Sequence, residues 1–460
     1  MDALILSRIQ FAINSCFHYL YPPISVGLGL MLVIMEGIYL KRKDQKYKEM
    51  TSFWIKIFAL TFALGVATGL VQVFAFGTNW ARYSRFVGDV FGSALASEGI
   101  FAFFLEAGFL GILLFGWDRV GPKLHYFANI CVAFGAHFSA VWIVIANSWM
   151  QTPAGYTIEQ TPMGPRAIVS DFWAMVFNPS SIDRLTHVIL GCWLTGAFLV
   201  ISVGAYYLLK QKHLEIAKSM MKIGLVTALV TCILQLLSGD SSARLIAKYQ
   251  PAKLAAFEGI YKTETPTPIS VVGWVDAKNQ EVHSWKIPGA LSLLTYRNLE
   301  TPVTGLDQIP RDEWPNVPFV FQTYHMMIFM WALMFLLAVL GVWFWWRKTL
   351  EKKRWLLWSL VVSVAFPHIA QQTGWISAEV GRQPWIVWKL LRTADGVSTS
   401  ISAGQVAGSI VMFICVYILL FVLFIFLLDR KIKHGPDEIA SRGGQEVYRE
   451  PYFNGDKHGA

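Results

Sequence analysis

Between two apolar runs near the C-terminal end, the segment from Gly374 to Trp385 places a carboxylate at Glu379, a guanidinium at Arg382 and an amide at Gln383 beside a membrane-type stretch. An ionisable side chain at bilayer depth costs about 2.5–3.5 kcal/mol on insertion scales, so it marks a functional site whose partner has to be found. The other unusual polar residues in apolar surroundings are His18, Glu98, Glu106, His187 and the run His325, Met326, Met327. Imidazole, carboxylate and thioether groups suit ligation of a transition metal, and carboxylates inside a span also suit proton relay. Each type has a plainer use. A lone histidine is more often a hydrogen-bonded helix residue, and methionine is ordinary packing material. Arg382 can anchor a helix end, and Trp375, Trp385 and Trp388 read as an interfacial belt. Lys253 and Glu258, on a polar loop, read by default as a solvated pair. Glutamates within a span resist such readings, because burial penalises their charged form unless a proton or a cation meets it.

The elements that must position these residues are membrane helices. The chain has 460 residues, 55% hydrophobic and only 15% charged, against about 25% charged in soluble proteins. About 20 apolar residues are needed per helical span. The sequence offers roughly nine, near 13–40, 53–76, 94–117, 124–149, 186–209, 219–238, 318–346, 354–376 and 403–429. This predicts an all-α polytopic protein with transmembrane helices 1–6 in residues 1–238, a long outer loop at 239–318, helices 7–9 in 319–429 and a tail at 430–460. Lys41, Arg42 and Lys43, then Lys210 and Lys212, Arg347 and Lys348, and Arg430 and Lys431 fall on one side if the N-terminus is outside and the C-terminus is cytoplasmic. That topology accounts for the net charge of +9, and no basic patch interleaved with aromatics suggests nucleic acid. Cys16, Cys131, Cys192, Cys232 and Cys415 lie in apolar stretches without zinc-site or haem-attachment spacing. They read as small packing residues. The first residues show no signal-peptide cleavage pattern and read as a mature start.

On this scaffold His18, His187, Met327 and Glu379 gather near the outer face, His18 a turn or two from the surface. Glu98 and Glu106 are eight residues apart, so a regular helix separates them by about 80° in azimuth and about 12 Å in depth. They can line one path. In the outer loop, Gln250 to Glu258 reads as a short amphipathic helix, with Pro266, Pro268, Gly273 and Pro288 breaking the remainder into turns.

Over nearly its whole length the sequence resembles the large, haem-bearing subunit of cytochrome bd quinol oxidase, subunit I, in its short quinol-loop form. The marks are Ser7 to Phe11 leading to His18, the span with Glu98 and Glu106, Ala146 to Gln151, the loop run from Gly239 to Glu258, and above all Gly374 to Trp385. The resemblance implies a nine-helix subunit of a terminal oxidase in the bacterial cytoplasmic membrane. It would oxidise quinol at the outer face and reduce oxygen to water with protons from the cytoplasm, generating proton motive force without pumping. It implies three haems. His187 and Met327, or Met326 if the register shifts by one, would ligate a low-spin haem b. His18 and Glu379 would serve a high-spin haem b and a haem d in an order that stays open, with Glu98 beside the His18 haem as second ligand or proton donor. Arg382 would clamp propionates, Lys253 and Glu258 would contact or deprotonate the quinol, and Glu106 would pass protons. Implied partners are a second large membrane subunit (subunit II), a small single-helix subunit, ubiquinol or menaquinol, and oxygen. This chain departs from some members in carrying His325 where they have arginine two residues before the haem methionine. A rival reading is a proton- or ion-coupled transporter, although no internal repeat of the kind such folds show is evident. A weaker one is a cofactor-free assembly subunit.

Overall fold

In the computed structural model, which describes residues 2–437, helices dominate and lie side by side. They are α1 (Ala3–His18), α2 (Pro22–Arg42), α3 (Gln45–Thr78), α4 (Gly88–Ser97), α5 (Phe104–Phe115), α6 (Pro122–Gln151), α7 (Ser181–Lys210), α8 (Leu214–Tyr249), the short α9 (Pro251–Glu258), α10 (Val317–Trp346), α11 (Arg354–Val362), α12 (Ala365–Val380) and α13 (Ala403–His434). Among the described residues eight helical stretches are long and apolar enough to cross a membrane, with α1 and α2 taken as one and α4 joined to α5. The eighth expected span, 354–376, is instead the broken pair α11 and α12. The part of the expected tail beyond residue 437 lies outside the described residues.

The boundaries differ from the expected ones where functional residues sit. The first span starts at Ala3 rather than near 13, and it breaks at 19–21 directly after His18, with Pro22 and Pro23 opening α2. A π-helical turn, Glu98–Phe103, joins α4 to α5. Such turns shift side chains off the α-helical register and recur at functional sites. The sixth helix does not end at 238 but continues to Tyr249, so the outer loop begins with α9.

α7 is the central helix: 78% of its most apolar window is buried, against 11% for α13 at the rim. Its contact with α2 is backbone to backbone, since a Cβ built on Gly27 would stand 2.1 Å from the Cys192 carbonyl oxygen. Small residues at such crossings let membrane helices approach closely. Trp54, Phe53 and Phe58 of α3 and Phe198 of α7 fill the surrounding core. Cys131, Cys192 and Cys232 are buried as expected, whereas Cys415 faces outward.

Three hairpins lie in the segments that connect the long helices. β1 (Tyr156–Thr161) and β2 (Gly164–Val169) form one hairpin, β3 (Ile269–Asp276) and β4 (Glu281–Ile287) a second, and β5 (Trp385–Val387) and β6 (Leu391–Arg392) a third. Gly273, expected in a turn, lies inside β3, where a Cβ would meet the His283 carbonyl oxygen at 2.2 Å. The loop after α8 closes over its own small core of Leu254, Phe257, Ile260, Leu291 and Leu306 with Val317 and Val320 of α10.

Candidate active site

Glu379 lies in the last turn of α12 rather than after it, and three helices converge on its carboxylate. From the end of α6, Asn147 and Gln151, spaced four apart on one face, each donate a side-chain amide to Oε1 at 3.0 Å. Arg382 donates to Oε2 from one turn further along the chain. Arg184, at the start of α7, holds the Asn147 carbonyl oxygen at 2.6 Å and stacks over Trp375. Lys253 of α9 donates to Gln151 Oε1 at 2.5 Å and to Gln250 Oε1 at 2.6 Å. Three cationic side chains thus surround one carboxylate.

This frame has unspent donors. Arg382 is 3% exposed, yet its Nη1 has no partner, and the same holds for Arg184 Nε and Trp385 Nε1. A buried donor left unpaired costs about 1–3 kcal/mol. Together with the excess of positive charge, these donors fit an anionic group such as a haem propionate, which an arginine fork can grip in two-point fashion. Trp375, expected in an interfacial belt, is part of this frame, edge-on to Tyr19 at 5.7 Å.

His18 sits at the end of α1, about four turns from its start rather than a turn or two from the surface. Its Nδ1 is 2.9 Å from Thr68 Oγ1, and the Thr68 hydroxyl donates to the Leu64 carbonyl at 2.8 Å. The hydroxyl oxygen therefore accepts from Nδ1–H, leaving the lone pair on Nε2. Fixing the tautomer by an outer hydrogen bond is how proteins prepare a histidine ligand. His187 is arranged alike: Ser238 Oγ lies 3.1 Å from Nδ1, while the Gln235 amide donates to Nε2 at 3.0 Å. Both bonds come from α8. Met326 is 42% exposed, but Met327 turns into the core and packs on α12, where a Cβ on Gly374 would stand 2.7 Å from its sulfur. Of the two methionines, Met327 is the one aimed inward. His325 bridges the carbonyls of Phe321 and Ser270, each at 2.8 Å, and so ties α10 to β3. Among the described residues no three His, Cys, Asp or Glu side chains cluster as a metal cage. Single-residue ligands of this kind suit a macrocycle that supplies the remaining donors.

Glu98 and Glu106 both reach α6. Ser139 Oγ donates to Glu98 Oε1 at 2.6 Å, and Gly135 lies against Glu106, its built Cβ 3.0 Å from the Glu106 Cβ. Glu98 opens the π-helical turn, and Glu106 lies in the first turn of α5 that follows it.

Lys253 and Glu258 are neither solvated nor paired with each other; they are 1% and 3% exposed. Burial pushes the Lys253 ammonium well below the usual lysine range, Arg184 and Arg382 add repulsion, and Glu379 opposes them. Burial also pushes the Glu258 carboxyl up to about 8, against hydrogen bonds from the Ser270 N–H and Tyr324. The Ser270 contact is 3.1 Å long. Glu258 is thus a carboxyl able to change protonation state near neutrality, which suits a general base.

The family model described as cytochrome bd terminal oxidase subunit I matches residues 6–436. The chain belongs to that family. It is 39% identical to the cytochrome bd ubiquinol oxidase subunit 1 of Bacillus subtilis (strain 168), with 95% of each chain covered. It is 33% identical to the cytochrome bd-II ubiquinol oxidase subunit 1 of Escherichia coli (strain K12), covering 96% of this chain and 98% of the relative. The solved bd oxidase from Geobacillus thermodenitrificans superposes with a TM-score of 0.87 at 31% identity, over 95% of this chain and 99% of the other. The chain is therefore a quinol oxidase subunit, multi-pass in a bacterial membrane, in a family whose members carry haem and work with a partner subunit. Membership sets aside the transporter and assembly-subunit readings.

Sequence reasoning passed over several residues in the site. Asn147 and Gln151 stood inside a noted motif, and their spacing of four was the available signal for a shared face. Arg184, near a helix start, was indistinguishable from an anchor. Thr68, Gln235 and Ser238 carry no signal, because ordinary polar residues gain a role only from the histidine opposite.

Proposed function

We propose that this subunit oxidises quinol beneath α9, at the end of the bundle opposite the basic clusters, and delivers the electrons through three haems to oxygen. The observation that carries the reading is the buried bridge from Lys253 through Gln151 to Glu379, which joins the loop helix to the frame that fits haem propionates. Glu258 accepts a proton from the quinol hydroxyl, and Lys253 holds a quinol oxygen through its hydrogen-bonded amino group. Arg382 and Arg184 bind propionates. His187 and Met327 hold a low-spin haem b, the thioether raising its reduction potential relative to a second imidazole. His18 and Glu379 hold a high-spin haem b and a haem d in either order. When bound, these groups supply one-electron transfer and the iron position at which oxygen is reduced.

Each quinol yields two electrons and two protons. Its protons leave on the outer side, with the N-terminus outside and the C-terminus cytoplasmic, while Glu106 and then Glu98 carry protons from the cytoplasmic side. Charge separates across the membrane without a pump. Subunit II and a small single-helix subunit complete the enzyme, and its donor is ubiquinol or menaquinol. The test is quinol-dependent oxygen uptake by the purified oxidase in vesicles, with proton release followed on both sides. Outward release with inward consumption supports the scheme. Release and consumption on the same side would overturn it.

A further inference from the structure

The base of the seam between α5 and α6 holds a buried ionisable pair that this scheme leaves unused. Glu36 of α2 and His125 of α6 are each 1% exposed. His125 Nδ1 lies 2.7 Å from Glu36 Oε1, and Nε2 lies 3.1 Å from the Leu113 carbonyl oxygen of α5. Asn129, one turn along α6, donates to Glu36 Oε2 at 2.7 Å, while its own Oδ1 is buried without a partner.

Hydrogen-bond accounting assigns the protons. A carbonyl only accepts, so the Leu113 contact places a proton on Nε2. The contact between Nδ1 and Oε1 needs a second, carried by the ring or by the carboxyl. The pair therefore stores a proton that can pass between two atoms without moving either side chain. Trp117 stacks on the imidazole at 3.9 Å, and Lys48 of α3 lies over the same indole at 5.5 Å, its Nζ 3.9 Å from Asp118. The Tyr126 hydroxyl abuts Gly37. The charged groups facing the pair thus lie toward the basic end of the bundle, on the far side of the Trp117 ring.

Register ties the pair to Glu106. The buried residues of α5 are Glu106 and Leu113, seven apart and so about 20° apart in azimuth and about 10 Å along the axis. His125 Nε2 meets the backbone carbonyl of that same Leu113, seven residues along the helix from Glu106, and Asn129 on α6 keeps a buried Oδ1 without a protein partner. A buried water needs two to four polar partners, and Asn129 Oδ1 and the Glu36 carboxylate supply the first two. We propose that Glu36 and His125 form a proton-loading site that supplies Glu106 through water held by Asn129. Each proton passed to Glu106 is replaced from the aqueous side at the basic end, and no electrons move. This rests on the reading that protons are taken up from that side.

Glu36→Gln separates this role from a structural one. Its amide can donate to a His125 ring protonated only on Nε2 and accept from Asn129, so the packing survives while the stored proton is lost. In the complete oxidase, Glu36→Gln is expected to slow oxygen reduction roughly tenfold or more. The solvent isotope effect should rise, while the haem spectrum and anaerobic haem reduction by quinol stay unchanged. Glu106→Gln, measured beside it, should be slow as well. A wild-type rate for Glu36→Gln with a slow Glu106→Gln overturns the loading site and leaves proton uptake through Glu106 standing; wild-type rates for both overturn the two together. Should Glu36→Gln fail to assemble, Asn129→Leu decides: slowed turnover with an intact spectrum supports the proposal, and unchanged turnover overturns it.

Discussion

The Lys253 side chain is joined to the Glu379 carboxylate by a single amide, because Gln151 accepts from Lys253 through Oε1 and donates to Glu379 through Nε2. One residue thus couples α9 to the frame around Glu379. Gln151→Leu leaves a buried amine and a buried carboxylate each short of a partner, a cost of about 1–3 kcal/mol apiece. Quinol oxidation should fall roughly tenfold while the residual protein keeps its haems. Wild-type kcat and KM for quinol in Gln151→Leu would remove the bridge from the account.

Glu258 sets a pH dependence. With its carboxyl pushed up to about 8 by burial, the basic form grows as pH rises through that value, so quinol oxidation limited by this base should climb toward pH 8 and level off above it. Glu258→Gln should be slow and should lose this limb of the profile. If the variant keeps the same rise with pH, another group is the base.

The Thr68 hydroxyl fixes the His18 tautomer, and removing such an outer partner typically costs 10–100-fold in metal affinity. Thr68→Val keeps the shape and is expected to lower occupancy of the haem at His18, read from the pyridine haemochrome content and the high-spin bands. Full occupancy in Thr68→Val would show that the tautomer is held by something else.

Much of this arrangement was legible in the sequence. Length and hydropathy showed an all-helical, multi-pass chain, although the span expected at 354–376 is a broken helix pair, and the Gly374 to Trp385 motif located the carboxylate and the guanidinium. What stayed hidden depends on backbone departures from ideal helices. The break after His18 and the earlier start of α1 place that histidine deeper than a regular span from residue 13 would. The π-helical turn at Glu98 sets a register that eight-residue spacing on an α-helix misses. The burial of Lys253 and Glu258 arises because the loop folds its own core over them, a tertiary effect that local polarity conceals. Gln151 lay within a recognised motif, yet its role appears only when α9, α6 and α12 are brought together.

Gly374 leaves room for the Met327 sulfur, so Gly374→Val forces α12 and α10 apart or turns the thioether away. The expected result is loss of the low-spin haem signal, with an overpacking cost of about 1–3 kcal/mol in stability. An unchanged low-spin band in Gly374→Val would mean that the thioether does not need this gap.

Electron entry depends on which side chains hold the first haem. The direct measurement is the reduced-minus-oxidised absorption spectrum of the purified oxidase carrying Met327→Leu, His187→Ala or, as the control, Met326→Leu. The low-spin haem b band should be lost or shifted in the first two and intact in the third. An intact low-spin band in Met327→Leu or His187→Ala would contradict the His187 and Met327 pairing.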